Sequence, residues 1–142
     1  MDIEQLCSIV VDAGFKLHKD IGPGLLESAY EIMLAAKLEA TGLKVDRKMP
    51  IDLLYDGVVI SSAFRPDLLV EDRLIIELKS TEATLPVHAK QVVTYLRLMG
   101  LTHGFVMNFG TPTCKDGVRR LLNDPSLFVS SRLRANKFGD TR

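Results

Sequence analysis

The stretch that most constrains this chain is residues 65–80, where the apolar runs Leu68-Leu69-Val70 and Leu74-Ile75-Ile76-Glu77-Leu78 flank the polar triplet Glu71-Asp72-Arg73. Short aliphatic runs around a polar triplet read as two strands joined by a hairpin loop. Successive side chains on a strand leave by opposite faces. Leu68, Val70, Leu74, Ile76 and Leu78 therefore form one apolar face, and Asp67, Glu77 and Lys79 leave by the other. Facing residues of an antiparallel pair have a constant index sum. A three-residue loop puts Asp67 directly across from Glu77, whereas a two-residue loop would send them to opposite faces. The aliphatic pattern selects the odd-length loop. Leu69 and Ile75 then share the carboxylate side, so that face is only partly polar.

Two carboxylates about 4 Å apart repel by roughly 4 kcal/mol at an effective dielectric near 20. Such a pair needs a cation between its members or a proton on one of them. All-oxygen ligands suit Mg²⁺ or Mn²⁺, with waters completing the shell. Lys79 beside them adds an ammonium that can orient a metal-bound water and offset charge on a phosphate. The competing reading is a solvated strand face carrying a Glu–Lys ion pair.

The rest of the 142-residue chain is ordinary globular sequence, 46% hydrophobic and 25% charged, and reads as one domain over residues 1–125 with a basic, mobile tail over 126–142. The recurrence of Ile3, Leu6, Val10, Ala13 and Leu17 predicts an amphipathic helix over 2–20, broken by Ile21-Gly22-Pro23-Gly24. A second helix is expected over 25–41, with Leu26, Ala29, Met33 and Ala36 as its apolar stripe and Gly42 as its left-handed cap. Residues 45–55 read as one strand, Asp56-Gly57 as a hairpin turn, and 58–64 as the returning strand. Pro86 suits the first turn of a helix reaching Met99, and 104–109 reads as a buried strand. Residues 118–122 read equally as helix or edge strand. Antiparallel hairpins followed by a crossover helix imply a mixed sheet with helices on its faces.

Cys7 and Cys114 are the only cysteines, so a zinc site built on C-x-x-C pairs is excluded. An acidic N-terminus and the absence of a long apolar run lead to the expectation of a soluble, cytoplasmic protein without a membrane partner. Gly22-Pro23-Gly24 lacks a following Gly-Lys-Ser/Thr, which argues against ATP use.

The Pro66-Asp67 and Glu77-Leu78-Lys79 set resembles the D…(D/E)-x-K core of the PD-(D/E)XK nuclease superfamily. Gly24-Leu25-Leu26-Glu27-Ser28-Ala29-Tyr30 matches the G-x-x-E-x-x-Y signature of one bacterial and archaeal family within it, the GxxExxY family. The similarity continues through residues 18–24, through His88-Ala89-Lys90-Gln91 with Tyr95-Leu96, and through Asn108-Phe109-Gly110, covering residues 5–123. It implies an α/β protein with a restriction-endonuclease-like αβββαβ core, a mixed sheet flanked by helices, and an extra N-terminal helix. It also implies a nuclease hydrolysing phosphodiester bonds in DNA or RNA with Mg²⁺ or Mn²⁺. On that pattern Asp67, Glu77 and the Leu78 carbonyl hold the metal, Lys79 acts on the water, and Glu27 adds an acidic group from the second helix. Gln91 would lie near the metal and the scissile phosphate, and Tyr95 would pack on the sheet with its hydroxyl near the site. His88 is open between a phosphate contact and a half-exposed residue at a helix start. Arg65 and Ser80 border the site and could touch a backbone phosphate.

Lys+Arg and Asp+Glu each number 18, yet residues 1–72 hold 7 basic and 13 acidic side chains while 73–142 hold 11 and 5. Neutrality is thus the sum of opposed halves, and it does not exclude nucleic acid. The alternatives are a non-catalytic nuclease-fold module that binds nucleic acid or a protein partner, and a homodimer or other homo-oligomeric structural protein.

Overall fold

The computed structural model describes residues 1–127 and 132–137. Helix α1 (Ile3–Ile21) starts at a capping box, in which the Gln5 backbone N–H donates to Asp2 and the Asp2 N–H donates to the Gln5 side chain. It buries Leu6, Val10, Ala13 and Leu17 as expected. Helix α2 (Glu27–Glu39) corrects the expected stripe. Leu26 and Ala36 are exposed, and the buried face is Tyr30, Leu34 and Leu38 with Glu31 and Ala35. Leu26 precedes the helix in extended conformation, so helical periodicity does not govern it. The largest apolar groups at i, i+4 and i+8 then turn the helix toward the sheet.

Residues 45–55 are not one strand. β1 (Val45–Arg47) and β2 (Ile51–Tyr55) are separated at Lys48, whose φ of 47° turns the chain, and they join different sheets. β3 (Val58–Phe64) completes a hairpin with β2. β4 (Leu68–Val70), β5 (Leu74–Lys79), α3 (Pro86–Met99), β6 (His103–Asn108), the short α4 (Cys114–Gly117) and β7 (Val118–Leu122) follow. The ambiguous segment 118–122 is therefore an edge strand. Within the expected tail, Leu133–Lys137 instead forms β8, which pairs with the free edge of β2 through Ile51↔Lys137 to Tyr55↔Leu133. Lys137 anchors it on Asp46 (3.1 Å) and Asp72 (2.6 Å). Backbone pairing with an open edge outweighs the polar composition that suggested a tail. The rest of that expected tail lies outside the described residues, apart from Arg132 and the end of the 3₁₀ turn Pro125–Leu127.

The main sheet has the order β1-β4-β5-β6-β7, antiparallel except for the parallel pair β5–β6 that α3 connects. The β4–β5 register is Leu68↔Ile76, Leu69↔Ile75, Val70↔Leu74, the one that the three-residue loop predicts. The even-numbered aliphatics pack with Leu6, Val10, Leu34 and Leu38 of α1 and α2. On the other face Leu69, Ile75 and Val106 pack with Ala89, Val92 and Leu96 of α3. This five-stranded mixed sheet between helices is the expected restriction-endonuclease-like architecture, with β3-β2-β8 as an added antiparallel sheet. Both cysteines are free and buried. Among the described residues no helix is long and apolar enough to cross a membrane.

The Asn108-Phe109-Gly110 motif locks the end of β5. Buried Asn108 accepts the N–H groups of Thr81 (3.1 Å) and Gly110 (2.9 Å) and donates to Thr84 (2.9 Å), holding the β5–α3 connection. A Cβ on Gly110 would overlap the Thr81 backbone, which cannot rotate away as a side chain would. Gly110→Ala is expected to cost about 1–3 kcal/mol of stability in urea denaturation.

Candidate active site

The site is built on the β4–β5 register. Asp67 stands just before β4, opposite Glu77, and the two carboxylates bind reciprocally across the strands. The Asp67 N–H donates to Glu77 Oε1 (2.9 Å), and the Leu78 N–H donates to Asp67 Oδ2 (2.9 Å). A strand residue's N–H and C=O point the same way, so the Leu78 carbonyl also faces Asp67. Glu77 is only 5% exposed. Burial first, and then the charge of Asp67, pushes its carboxyl up to about 8, with the Lys79 charge opposing.

The ladder brings in a residue that sequence reasoning missed. The Lys48 N–H donates to the Asp67 carbonyl (2.9 Å), which places Lys48 beside Asp67 across β1 and β4. Its ammonium bonds Asp67 Oδ1 at 2.8 Å and Glu31 Oε1 at 3.3 Å. Glu31, 3% exposed, also pairs with Arg47 at 3.0 Å. A signal existed for Glu31, which shares a helix face with Glu27 and Tyr30. None existed for Lys48, because its position depends on the β1–β4 register and on its own left-handed backbone.

Lys79 sits half-buried at the end of β5 and forms no ion pair among the described residues. His88 lies within reach of its charge. Burial and then Lys79 hold the His88 imidazole below its usual range, while Glu27 acts in the opposite sense. This places Glu27, Lys79 and His88 around one region, with Glu27 exposed. His88 Nδ1 accepts the Leu85 N–H (3.3 Å), leaving Nε2 as its donor. Tyr95 stacks on Phe64 of β3 (centroids 4.4 Å apart, 15° between planes). Burial chiefly, then the Glu77 charge, raises its phenol, and a Gln91 side-chain hydrogen bond offsets this. Ser80 Oγ donates to the Leu25 carbonyl (2.6 Å), tying β5 to the loop before α2, and Arg65 is exposed.

Tyr30 explains the spacing of the glycine-containing motif. Its ring stacks on Phe109 at 4.5 Å, and its hydroxyl donates to the Gly22 carbonyl and accepts the Leu25 N–H. His18 stacks on the same Phe109 at 6.1 Å and bonds the Thr111 carbonyl (3.0 Å) through Nε2. These motif residues form a packed aromatic cluster that holds the loop leading to Glu27.

The donor set around Asp67 is all oxygen. Among the described residues no group of three or more His, Cys, Asp or Glu converges as metal ligands, so a cation there would rest on two carboxylates, one carbonyl and water. A buried carboxyl driven toward neutrality, beside a carboxylate already drawing an ammonium, fits a hard divalent cation. A family model described as the PD-(D/E)XK nuclease superfamily matches residues 4–121, and the chain belongs to that superfamily. No curated protein and no solved structure matches it.

The Glu77 shift has a definite sign. Without metal, the folded carboxyl keeps its proton up to about pH 8, while the unfolded one releases it near 4.5. The folded state therefore binds more protons between these values, and stability falls as pH rises from about 4.5 towards 8. Thermal unfolding in EDTA should show Tm dropping over that window, and Glu77→Gln should flatten the slope and exceed the wild type at pH 8.

Proposed function

We propose that the chain is a divalent-metal-dependent nuclease that hydrolyses phosphodiester bonds in DNA or RNA. The observation that carries this reading is the cross-strand Asp67–Glu77 pair, buried at Glu77, with the Lys79 ammonium, which forms no ion pair among the described residues, two residues further on. Membership of the narrower GxxExxY family is part of the proposal, supported by Gly24, Glu27 and Tyr30 at the signature spacing.

Asp67, Glu77 and the Leu78 carbonyl would hold Mg²⁺ or Mn²⁺, which supplies an activated water and draws charge from the phosphoryl oxygen. Lys79 holds a proton beside the attacking water and offsets charge on the phosphate. His88 offers its Nε2–H to a phosphate oxygen, its other nitrogen being occupied by Leu85. Gln91, fixed by Tyr95, lies along the same side of α3. Glu27 supplies a further carboxylate at the rim. Arg65, exposed, would meet a flanking phosphate, whereas the Ser80 hydroxyl is already committed to the Leu25 carbonyl, which gives it a positioning role.

With Mn²⁺ or Mg²⁺ the protein should cleave a DNA or RNA substrate, and Asp67→Ala or Lys79→Ala should remove at least about 10²-fold of that activity. Undiminished cleavage in either variant overturns the site. In the same preparations a metal-dependent rise in Tm should vanish in Asp67→Ala. Lys48→Met removes a cation that competes for Asp67 Oδ1, so half-saturating Mn²⁺ should fall by about fivefold in a thermal-shift titration.

A further inference from the structure

On the flank of α3 away from the carboxylates, α3 and β7 enclose a groove of about 490 Å³. Lys90, Thr94 and Arg97 project from α3 and Arg119 from β7, above an apolar floor that includes Val93 and Leu121. Helical spacing produces this arrangement. Residues 90, 94 and 97 fall on one stripe, while Ala89, Val92 and Leu96 turn to the sheet and His88, Gln91 and Tyr95 fall on the opposite flank. Strand alternation does the same on β7, where Arg119 shares the groove side with Leu121 and Arg120 leaves by the other face to pair with Glu4.

The ionisable lining of the groove is of one sign. Its three ionisable lining residues are all cations, and none forms an ion pair among the described residues. Lys44, Arg47, Lys48, Arg120 and Lys137, by contrast, are all paired with carboxylates. Unpaired cations converging on a concave wall focus positive potential there. The register also relates the groove to the candidate site. Glu77 pairs with Val106 and Val106 with Arg119, so Glu77 and Arg119 stand on one sheet face, two strands or about 10 Å apart. The body of α3, about 10 Å across, lies between the site and the groove.

We propose that this groove is a second phosphate-binding track, which holds the backbone of a nucleic acid whose scissile phosphate lies at Asp67, Glu77 and Lys79. The choice of nucleic acid as occupant rests on the nuclease reading, and the groove extends that reading to a polymeric substrate. A single phosphate or mononucleotide cannot span α3, whereas a chain of regularly spaced phosphates can. Two of the three cations are arginines, whose planar forks match phosphate oxygens.

The test measures binding by fluorescence anisotropy in EDTA, using the whole chain, labelled 30-nucleotide DNA and RNA in single- and double-stranded form, and a salt series. Lys90→Ala/Arg97→Ala/Arg119→Ala should weaken binding at least tenfold and reduce the magnitude of the log–log salt slope by about 2–3. Lys16→Ala/Lys19→Ala/Lys37→Ala, a charge-matched change on α1 and α2, should stay within twofold of the wild type. The single reversal Arg97→Glu provides a milder variant should the triple change unfold the protein. Equal losses in groove and control variants, no loss in the groove variants, or no wild-type binding at low salt each overturn the proposal. Wild-type binding of poly-glutamate as tight as that of the oligonucleotides overturns nucleic acid as the occupant. Metal is absent throughout, so failure of the catalytic reading would show separately, as missing Mn²⁺-dependent cleavage despite groove-dependent binding.

Discussion

The register between β4 and β5 underlies the rest of this molecule. The loop Glu71-Asp72-Arg73 is three residues long, with Glu71 and Asp72 at φ of 53° and 55°, and it sets Asp67 across from Glu77 while sending every even-numbered aliphatic to the other face. One register therefore does two things. It closes the core against α1 and α2, and it aims two carboxylates at the same point. A slip of β5 by one residue would turn Glu77 into the apolar core against α1 and α2 and carry Ile76 and Leu78 to the α3 face, so hydrophobic packing itself protects the site geometry.

In the site that results, burial and the neighbouring Asp67 hold the Glu77 carboxyl toward its protonated form. Each carboxylate accepts a backbone N–H from the facing strand, yet these bonds do not relieve the burial of Glu77. Lys48 supplies a positive charge shared between Asp67 and buried Glu31. Lys79 stands near and forms no ion pair among the described residues. Lys48 thus occupies one oxygen of Asp67, and under the proposed nuclease reading a divalent cation would have to displace it or coexist with it.

Much of this was legible in the linear chain for a physical reason. The Asp67–Glu77–Lys79 face follows from period-two alternation and loop parity, both of which are local. The helix α1 stripe, the crossover helix from Pro86 and the mixed sheet follow from patterns of the same kind. The α2 face differs from the expected stripe because Leu26 lies outside the helix and because Tyr30 is drawn inward by stacking on Phe109, 79 residues along the chain. The strand over 45–55 divided at Lys48, where a non-glycine residue adopts a left-handed conformation that composition does not announce. β8 was hidden because its stability comes from the open edge of β2 rather than from its own side chains.

Local order along the chain thus decided which residues could share a face: the two carboxylates, the lysine beside them, and the cations at positions 90 and 97 on one stripe of α3. Which of them acquire partners was decided only by tertiary packing. The β1–β4 register delivers Lys48 to Asp67, α2 brings Glu31 to Lys48, and the β5–β6–β7 ladder sets Arg119 on the face of Glu77. Pairings across strands and helices distant in sequence depend on how whole elements dock, and docking is driven by summed apolar burial that no single motif records.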